Sequence, residues 1–186
     1  MTIVPFAELK AVPWKNGLGV TREIIVEPAG ATMNDFLWRV SIADVDTASP
    51  FSRFPGVDRT IVLLDGDGFT MTLDGDRDHA LTTACVPFAF PGEAVVEVAL
   101  AGDATRDFNL MLRRGAVHGG IDVVRGPATL TLGHDTALLY LAQGEAVVTD
   151  DATQPVRAGD SVVGNGAVAL ATGATALVVR VKRAAG

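Results

Sequence analysis

The chain has 186 residues, 48% hydrophobic and 20% charged, with a formal net charge of −7; this is the profile of a folded globule and excludes a disordered segment. The acidic balance, with Arg113-Arg114 as the densest basic run, repels a phosphate backbone and argues against a nucleic-acid partner. The single cysteine, Cys85, allows no intrachain disulfide, and no apolar run reaches the length of a bilayer span, so a cytoplasmic chain without a membrane partner is expected.

In chain order, the first polar oddity is "PWKNGLGVTREI" at 13–24, a Trp, a Lys and an Asn beside two glycines, running straight into an apolar strand at 24–26. Gly17 and Gly19 would bend this run so that Trp14, Lys15 and Asn16 face inward. "FLWRVSIADV" at 36–45 alternates strictly: Phe36, Trp38, Val40 and Ile42 share one face, and Leu37, Arg39, Ser41 and Ala43 the other. The Arg39–Ser41 face lines a half-polar cavity or is simply a solvated side. "SPFSRFPGVDRTI" at 49–61 is a rigid loop with two Pro, a Gly and two Phe. It ends in Asp58-Arg59, which is a surface ion pair or, since Arg59 alternates with Ile61 and Leu63, an inward-pointing guanidinium.

Short apolar runs continue at 60–64, 69–73, 94–100, 108–113, 129–132, 137–142, 146–149, 162–163, 167–170 and 176–181. They are β-branched or alternate with period two, and none sustains a helical period. "DGDG" at 65–68 and "LDGD" at 73–76 read as hairpin connections. The sequence also repeats. "TIVLLDGDGFTMTLDG" (60–75) superposes without a gap on "TALLYLAQGEAVVTDD" (136–151), setting Leu63 on Leu139 and Gly68 on Gly144. A Gly-acid turn follows in each copy, at Gly92 and Gly159, and each copy closes with an apolar strand ending in basic residues. The expected fold is therefore all-β: a bicupin of two tandem small β-barrels, jelly-roll in style, from an internal duplication. Its first barrel and N-terminal segment span 1–115 and its second barrel 116–186. Apolar edge strands in the second copy raise the expectation of a homodimer.

Metal and nucleophile chemistry find no support in the spacing. His79, His118 and His134 are all far apart and sit in turn-like sequence, so they read as solvent-exposed loop residues; no metal and no cofactor is expected. Cys85 reads as a small buried residue, no Gly-x-Ser-x-Gly is present, and the glycines at 66–68 precede no helix that would cradle phosphate. What remains is a set of donors. Arg39, Arg59, Lys15 or Arg22, with Asn16, Ser41 and Ser52 and the flat wall of Trp14, would suit a small carboxylate or amide.

Taken in order, "WKNGLGVTREI", "FLWRVSIADV", "SPFSRFPGVDRTIVLLDGDGFTMTLDG", the Pro-Gly-acid turn at 91–93 and "DFNLMLRRG" (107–115) resemble the HutD/Ves family of bicupins. Leu18 stands where the family typically shows a third glycine. The resemblance implies a cytoplasmic, metal-free bicupin associated with histidine utilisation, binding a small anionic metabolite such as formylglutamate or formate and restraining pathway flux. It implies as ligand-binding residues Trp14, Lys15, Asn16, Thr21, Arg22, Arg39, Ser41, Ser52, Arg59 and Asn109, with none catalytic. Two other readings stand beside it. One is a metal-independent isomerase or hydrolase, with Lys15 or Glu23 as base and Arg39 or Arg59 stabilising an anion. The other is a structural or interaction bicupin.

Overall fold

A computed structural model describes residues 1–149 and 153–184. Among them the regular elements are strands, apart from a single 3₁₀ turn at Phe6–Glu8. No helix among them is long and apolar enough to cross a membrane. The strands run β1 Thr2–Val4, β2 Ala11–Pro13, β3 Gly19–Glu27, β4 Trp38–Val45, β5 Val57–Asp65, β6 Phe69–Leu73, β7 Arg77–Leu81, β8 Pro87–Pro91, β9 Val96–Leu100 and β10 Thr105–Arg113. The second half adds β11 Val117–Arg125, β12 Ala128–Leu132, β13 Thr136–Gln143, β14 Glu145–Thr149, β15 Thr153–Arg157, β16 Ser161–Val163, β17 Gly166–Leu170 and β18 Thr175–Arg183.

The chain divides into two compact units, Lys10–Val117 and a second made of Met1–Leu9 with His118–Gly186. The first residues join the C-terminal half because β1 pairs antiparallel with β16, Ile3 opposite Val162. Each unit has two sheets. In the first the orders are β2-β3-β4-β10-β5-β8 and β7-β6-β9; in the second they are β1-β16-β13-β18-β11 and β12-β17-β14-β15. The block β4-β10-β5-β8 thus reappears as β11-β18-β13-β16, and β7-β6-β9 as β15-β14-β17. The duplication expected from the sequence is present in the strand order. The expected closed barrels are not: every sheet keeps two edge strands.

Three local expectations are corrected. "DGDG" at 65–68 is no hairpin turn, because β5 and β6 belong to different sheets; it carries the chain from one sheet to the other. Gly68 holds a φ of +75° there, and a Cβ on it would lie 2.0 Å from the Leu81 carbonyl oxygen, so only glycine fits. Its repeat partner Gly144 makes the same sheet change at φ +77°. The "LDGD" turn does close a hairpin, β6 on β7. The Gly92 and Gly159 turns are not equivalent, since Gly92 follows β8 while Gly159 precedes the matching β16. His79 and His118 lie in strands and not in turns; His79 is half-buried with its ring stacked on Phe88 at 3.5 Å, while His134 does sit in an exposed turn.

Period two explains the packing. In β6, Phe69, Met71 and Leu73 are fully buried while Thr70 and Thr72 are only half covered. With Ile61, Leu63, Leu81, Phe90 and Val96 they join the two sheets of the first unit; each such side chain contributes about 2 kcal/mol by leaving water. The second unit has a wholly apolar equivalent around Leu139, Leu141, Val148, Val162, Val168 and Val178. The first unit differs in one respect. Only part of its inner face is apolar.

Candidate functional site

The register of the six-stranded sheet sets the polar residues in rows on one face. Arg39 on β4 and Arg59 on β5 both lie opposite Met111 of β10. One step along, Ser41 of β4 and Ile61 of β5 flank Asn109, and Glu23 of β3 lies beyond Ser41. A further step along, Ala43 and Leu63 flank Asp107, with Thr21 beyond Ala43. Strand alternation turns all these side chains to the face that carries Ile61 and Leu63 into the core. Phe90, opposite Arg59 on β8, is part of the same face.

Arg59 is only 8% exposed. Its Nε and Nη2 both donate to Asn109 Oδ1, at 3.4 and 3.2 Å, and it forms no ion pair among the described residues. Three aromatic rings take its place as counter-charge: the guanidinium carbon lies 5.1, 5.6 and 4.9 Å from the ring centres of Phe51, Phe54 and Phe90, within the range of a cation–π contact. Phe51 and Phe54 come from the Pro-rich loop, which hydrogen-bonds to Val96 and Gly92 through their backbone amides. Burial, then the like charge of Arg39, brings the Arg59 guanidinium down to about 10. Arg39 donates from Nε to Glu23 Oε2 at 2.6 Å and from Nη1 to Ser41 Oγ at 3.1 Å. Of the two guanidinium groups, Arg39 has an anionic partner, Glu23, at the exposed rim, while Arg59 has none among the described residues; the other carboxylate of this face, Asp107, lies two rows along from Arg59.

Of the ten candidate residues, the structure brings Arg39, Ser41, Arg59 and Asn109 together, with Thr21 two rows along the same face. The Trp14 indole donates to Thr21 Oγ1 at 2.7 Å and lies across Gly19, where a Cβ would stand 3.1 Å from the ring and 2.6 Å from the Asp44 carbonyl oxygen. Lys15 and Asn16 are exposed. Asn16 braces its turn, accepting from the Leu18 amide at 3.1 Å and donating to the buried Ser49 hydroxyl at 3.1 Å. Arg22 alternates onto the opposite face, where it pairs with Asp44, which Arg106 also contacts at 2.6 Å. Ser52 is exposed in the loop between the two phenylalanines. Asp58 pairs with Arg114 and not with its neighbour Arg59.

Sequence reading had passed over Asp107, Phe51, Phe54 and Phe90. The alternation of "DFNLM" places Asp107 on the Asn109 face and could have found it. The phenylalanines lie in the quoted loop, but nothing in their spacing shows that they enclose a cation.

A concavity of about 390 Å³ lies in the other unit, lined by Glu145, Val147, Pro155, Arg157 and Ala169 among others. Its two charged residues, Glu145 and Arg157, lie opposite each other in register on β14 and β15. The buried charge without an ion-pair partner among the described residues is at Arg59. No group of three or more His, Cys, Asp or Glu side chains is placed to hold a metal ion among the described residues.

The profile of the HutD family matches residues 6–180. The chain belongs to the HutD family. It is 37% identical over 138 residues to a Pseudomonas putida protein named for its position, "Uncharacterized 21.2 kDa protein in hutC 3'region", covering 74% of this chain and 72% of that one. It is 35% identical over 132 residues to protein Ves of Escherichia fergusonii, covering 70% and 67%. HutD from Pseudomonas fluorescens SBW25, described with a formate condition, superposes with a TM-score of 0.83 at 30% identity over 99% of both chains. A cupin 2 conserved barrel domain protein from Leptotrichia buccalis matches at a TM-score of 0.65 and 12% identity, over 97% of this chain and 96% of that one. That likeness shows the fold alone, and the fold of this HutD-family chain is all-β and cupin-like.

Proposed function

We propose that the unit spanning Lys10–Val117 binds a small carboxylate on Arg59 and Arg39, and that the chain acts as a regulatory binding module in histidine utilisation. The observation that carries this is the buried Arg59 guanidinium, which has a neutral amide oxygen and three rings for company but no anion. A buried charge without a counter-ion is costly, and an incoming carboxylate would remove that cost. Arg59 Nη1 makes no bond to the described protein, Ser41 supplies a hydroxyl, and the Asn109 amide nitrogen adds a further donor. The formate condition of the Pseudomonas fluorescens relative is in keeping with such a ligand, and the hutC-region name of the Pseudomonas putida relative with the pathway. Formate and formylglutamate are the first ligands to try.

The repeated strand order supports reading the chain as a tandem of two cupin units. The reading includes a cytoplasmic location, no nucleic-acid partner, and a homodimer through edge strands of the second unit. The enzymatic alternative loses support for its lysine base, because Lys15 is exposed. Calorimetric titration with formate, formylglutamate, glutamate and urocanate tests the proposal. Binding of at least one carboxylate is expected; a folded protein that gives no heat with any of them contradicts it.

A further inference from the structure

The outward face of the sheet β12-β17-β14-β15 carries two opposite charges that stand side by side and do not meet. Glu145 of β14 lies opposite Arg157 of β15 in register, a placement that sets Cβ atoms about 5 Å apart. Both residues are exposed, and neither side chain makes an ion pair or a hydrogen bond among the described residues. Elsewhere on the surface such partners close up: Arg114 holds Asp58 at 2.7 Å, Arg180 holds Asp122 at 2.6 Å and Lys182 holds Asp135 at 2.8 Å. Nor does the next acid along the chain serve the Arg157 guanidinium. The Asp160 carboxylate is engaged by the backbone amides of Arg157 and Phe6, at 3.0 and 3.1 Å.

The two unpaired charges line the concavity of about 390 Å³. Alternation puts Val147 on the face of Glu145, and Val147 lies opposite Pro155 on one side and Ala169 on the other. Ala171 flanks Glu145, donating its amide to the Glu145 carbonyl at 3.0 Å. The two alanines end at a methyl group and the proline is compact, so the longer Glu145 and Arg157 side chains rim an apolar floor. The volume falls within the range of small-molecule sites, about 300–1,000 Å³, and so does the make-up, a mostly apolar surface with a few polar groups. The matching face of the first unit is built differently: Thr72 bonds there to Asp78 at 2.7 Å, with Glu97 on its other side.

We propose that this concavity is a second ligand site, separate from Arg59, and that it takes a free α-amino acid with an apolar side chain. Glu145 holds the ammonium group. Arg157 holds the carboxylate, whose two oxygens its planar fork of N–H donors matches. The ligand's side chain lies on Val147, Pro155 and Ala169. A zwitterion answers both charges at once, whereas a simple anion or a simple cation leaves one of them unmatched.

The test is an NMR titration of the ¹⁵N-labelled full chain with L-leucine, N-acetyl-L-leucine, L-leucinamide and glycine. Leucine is expected to shift the Val147 and Arg157 amide signals saturably. N-acetyl-leucine lacks the ammonium, leucinamide the carboxylate and glycine the apolar side chain, and each should bind about tenfold or more weakly. Glu145→Gln and Arg157→Gln should each weaken leucine by a similar factor. Both side chains are exposed, so these variants keep the fold. Arg59→Met should leave leucine binding unchanged. Absence of a saturable shift with leucine overturns the proposal, and so does any one of the three analogues binding as tightly as leucine. Shifts that persist in both second-unit variants and vanish in Arg59→Met also overturn it, since leucine then sits in the first unit through its carboxylate. The formate site of the first unit stands or falls separately.

Discussion

The Arg59 guanidinium rests on the side-chain oxygen of Asn109, 3.2 Å from Nη2, across the β5–β10 pairing. A charged donor on a neutral acceptor is an incomplete arrangement: Asn109 satisfies the direction of two N–H groups but leaves the positive charge in place. Arg39 adds a second cation close enough to act on Arg59.

From this follows a separation of stability from binding. Arg59→Met removes the charge and keeps most of the apolar stem among Phe51, Phe54 and Phe90. Replacing a buried uncompensated ion by an apolar residue of similar size is neutral or stabilising, so the unfolding free energy should stay within about 1 kcal/mol of wild type or rise. Carboxylate binding should disappear. Urea unfolding and calorimetry on the same preparation check both halves.

A carboxylate bound at Arg39 would compete with Glu23, its ion-pair partner. The Glu23 side chain is 44% exposed, so the ion pair itself contributes little to stability, about 0.5 kcal/mol. Glu23→Gln should leave urea unfolding nearly unchanged and tighten formate binding by about threefold or more. Weaker binding in this variant would mean that Glu23 positions Arg39 instead of competing for it.

Asp107 should make stability fall with rising pH. Its folded-state value, raised to about 7 by burial, exceeds the ordinary 3.8, so the folded chain holds a proton that the unfolded chain has released. Its contribution is most favourable below pH 3.8 and is lost as pH rises through 7. Between pH 5 and pH 8 wild type should lose on the order of 2–3 kcal/mol relative to Asp107→Asn. Parallel urea curves for the two proteins at both pH values would show no such difference if the carboxyl titrated normally.

The two glycines of the first motif should behave differently. Gly17 has φ +71° and open space around its missing Cβ, so Gly17→Ala should cost about 1 kcal/mol and leave affinity alone. Gly19 is extended but crowded by the Asp44 carbonyl and the Trp14 ring. Gly19→Ala should cost more than Gly17→Ala and shift the tryptophan fluorescence, because the indole must leave Thr21.

Much of this was legible in the residues. Alternation alone put Arg39 with Ser41 and Arg59 with Ile61, since a period of two fixes sides without knowledge of the partner strand. The repeat gave the doubled architecture, because Gly68 and Gly144 mark a sheet change that only glycine permits. What alternation cannot say is which strands are neighbours. Arg22 looked like part of the site until the register showed it sharing Asp44 with Arg106, a residue far along the chain. The inward tilt expected for Lys15 and Asn16 failed for a related reason. Asn16 satisfies its hydrogen bonds locally with Leu18 and Ser49, and that holds the turn outward.

The most direct test is a side-chain NMR titration of uniformly ¹⁵N-labelled protein with formate, following the arginine Nε–H resonances and assigning two of them by Arg39→Lys and Arg59→Met. The account predicts that the Arg59 and Arg39 signals move together and saturate, while those of Arg114 and Arg180, held on surface carboxylates, stay in place. Saturating formate that moves neither Arg59 nor Arg39 would contradict it.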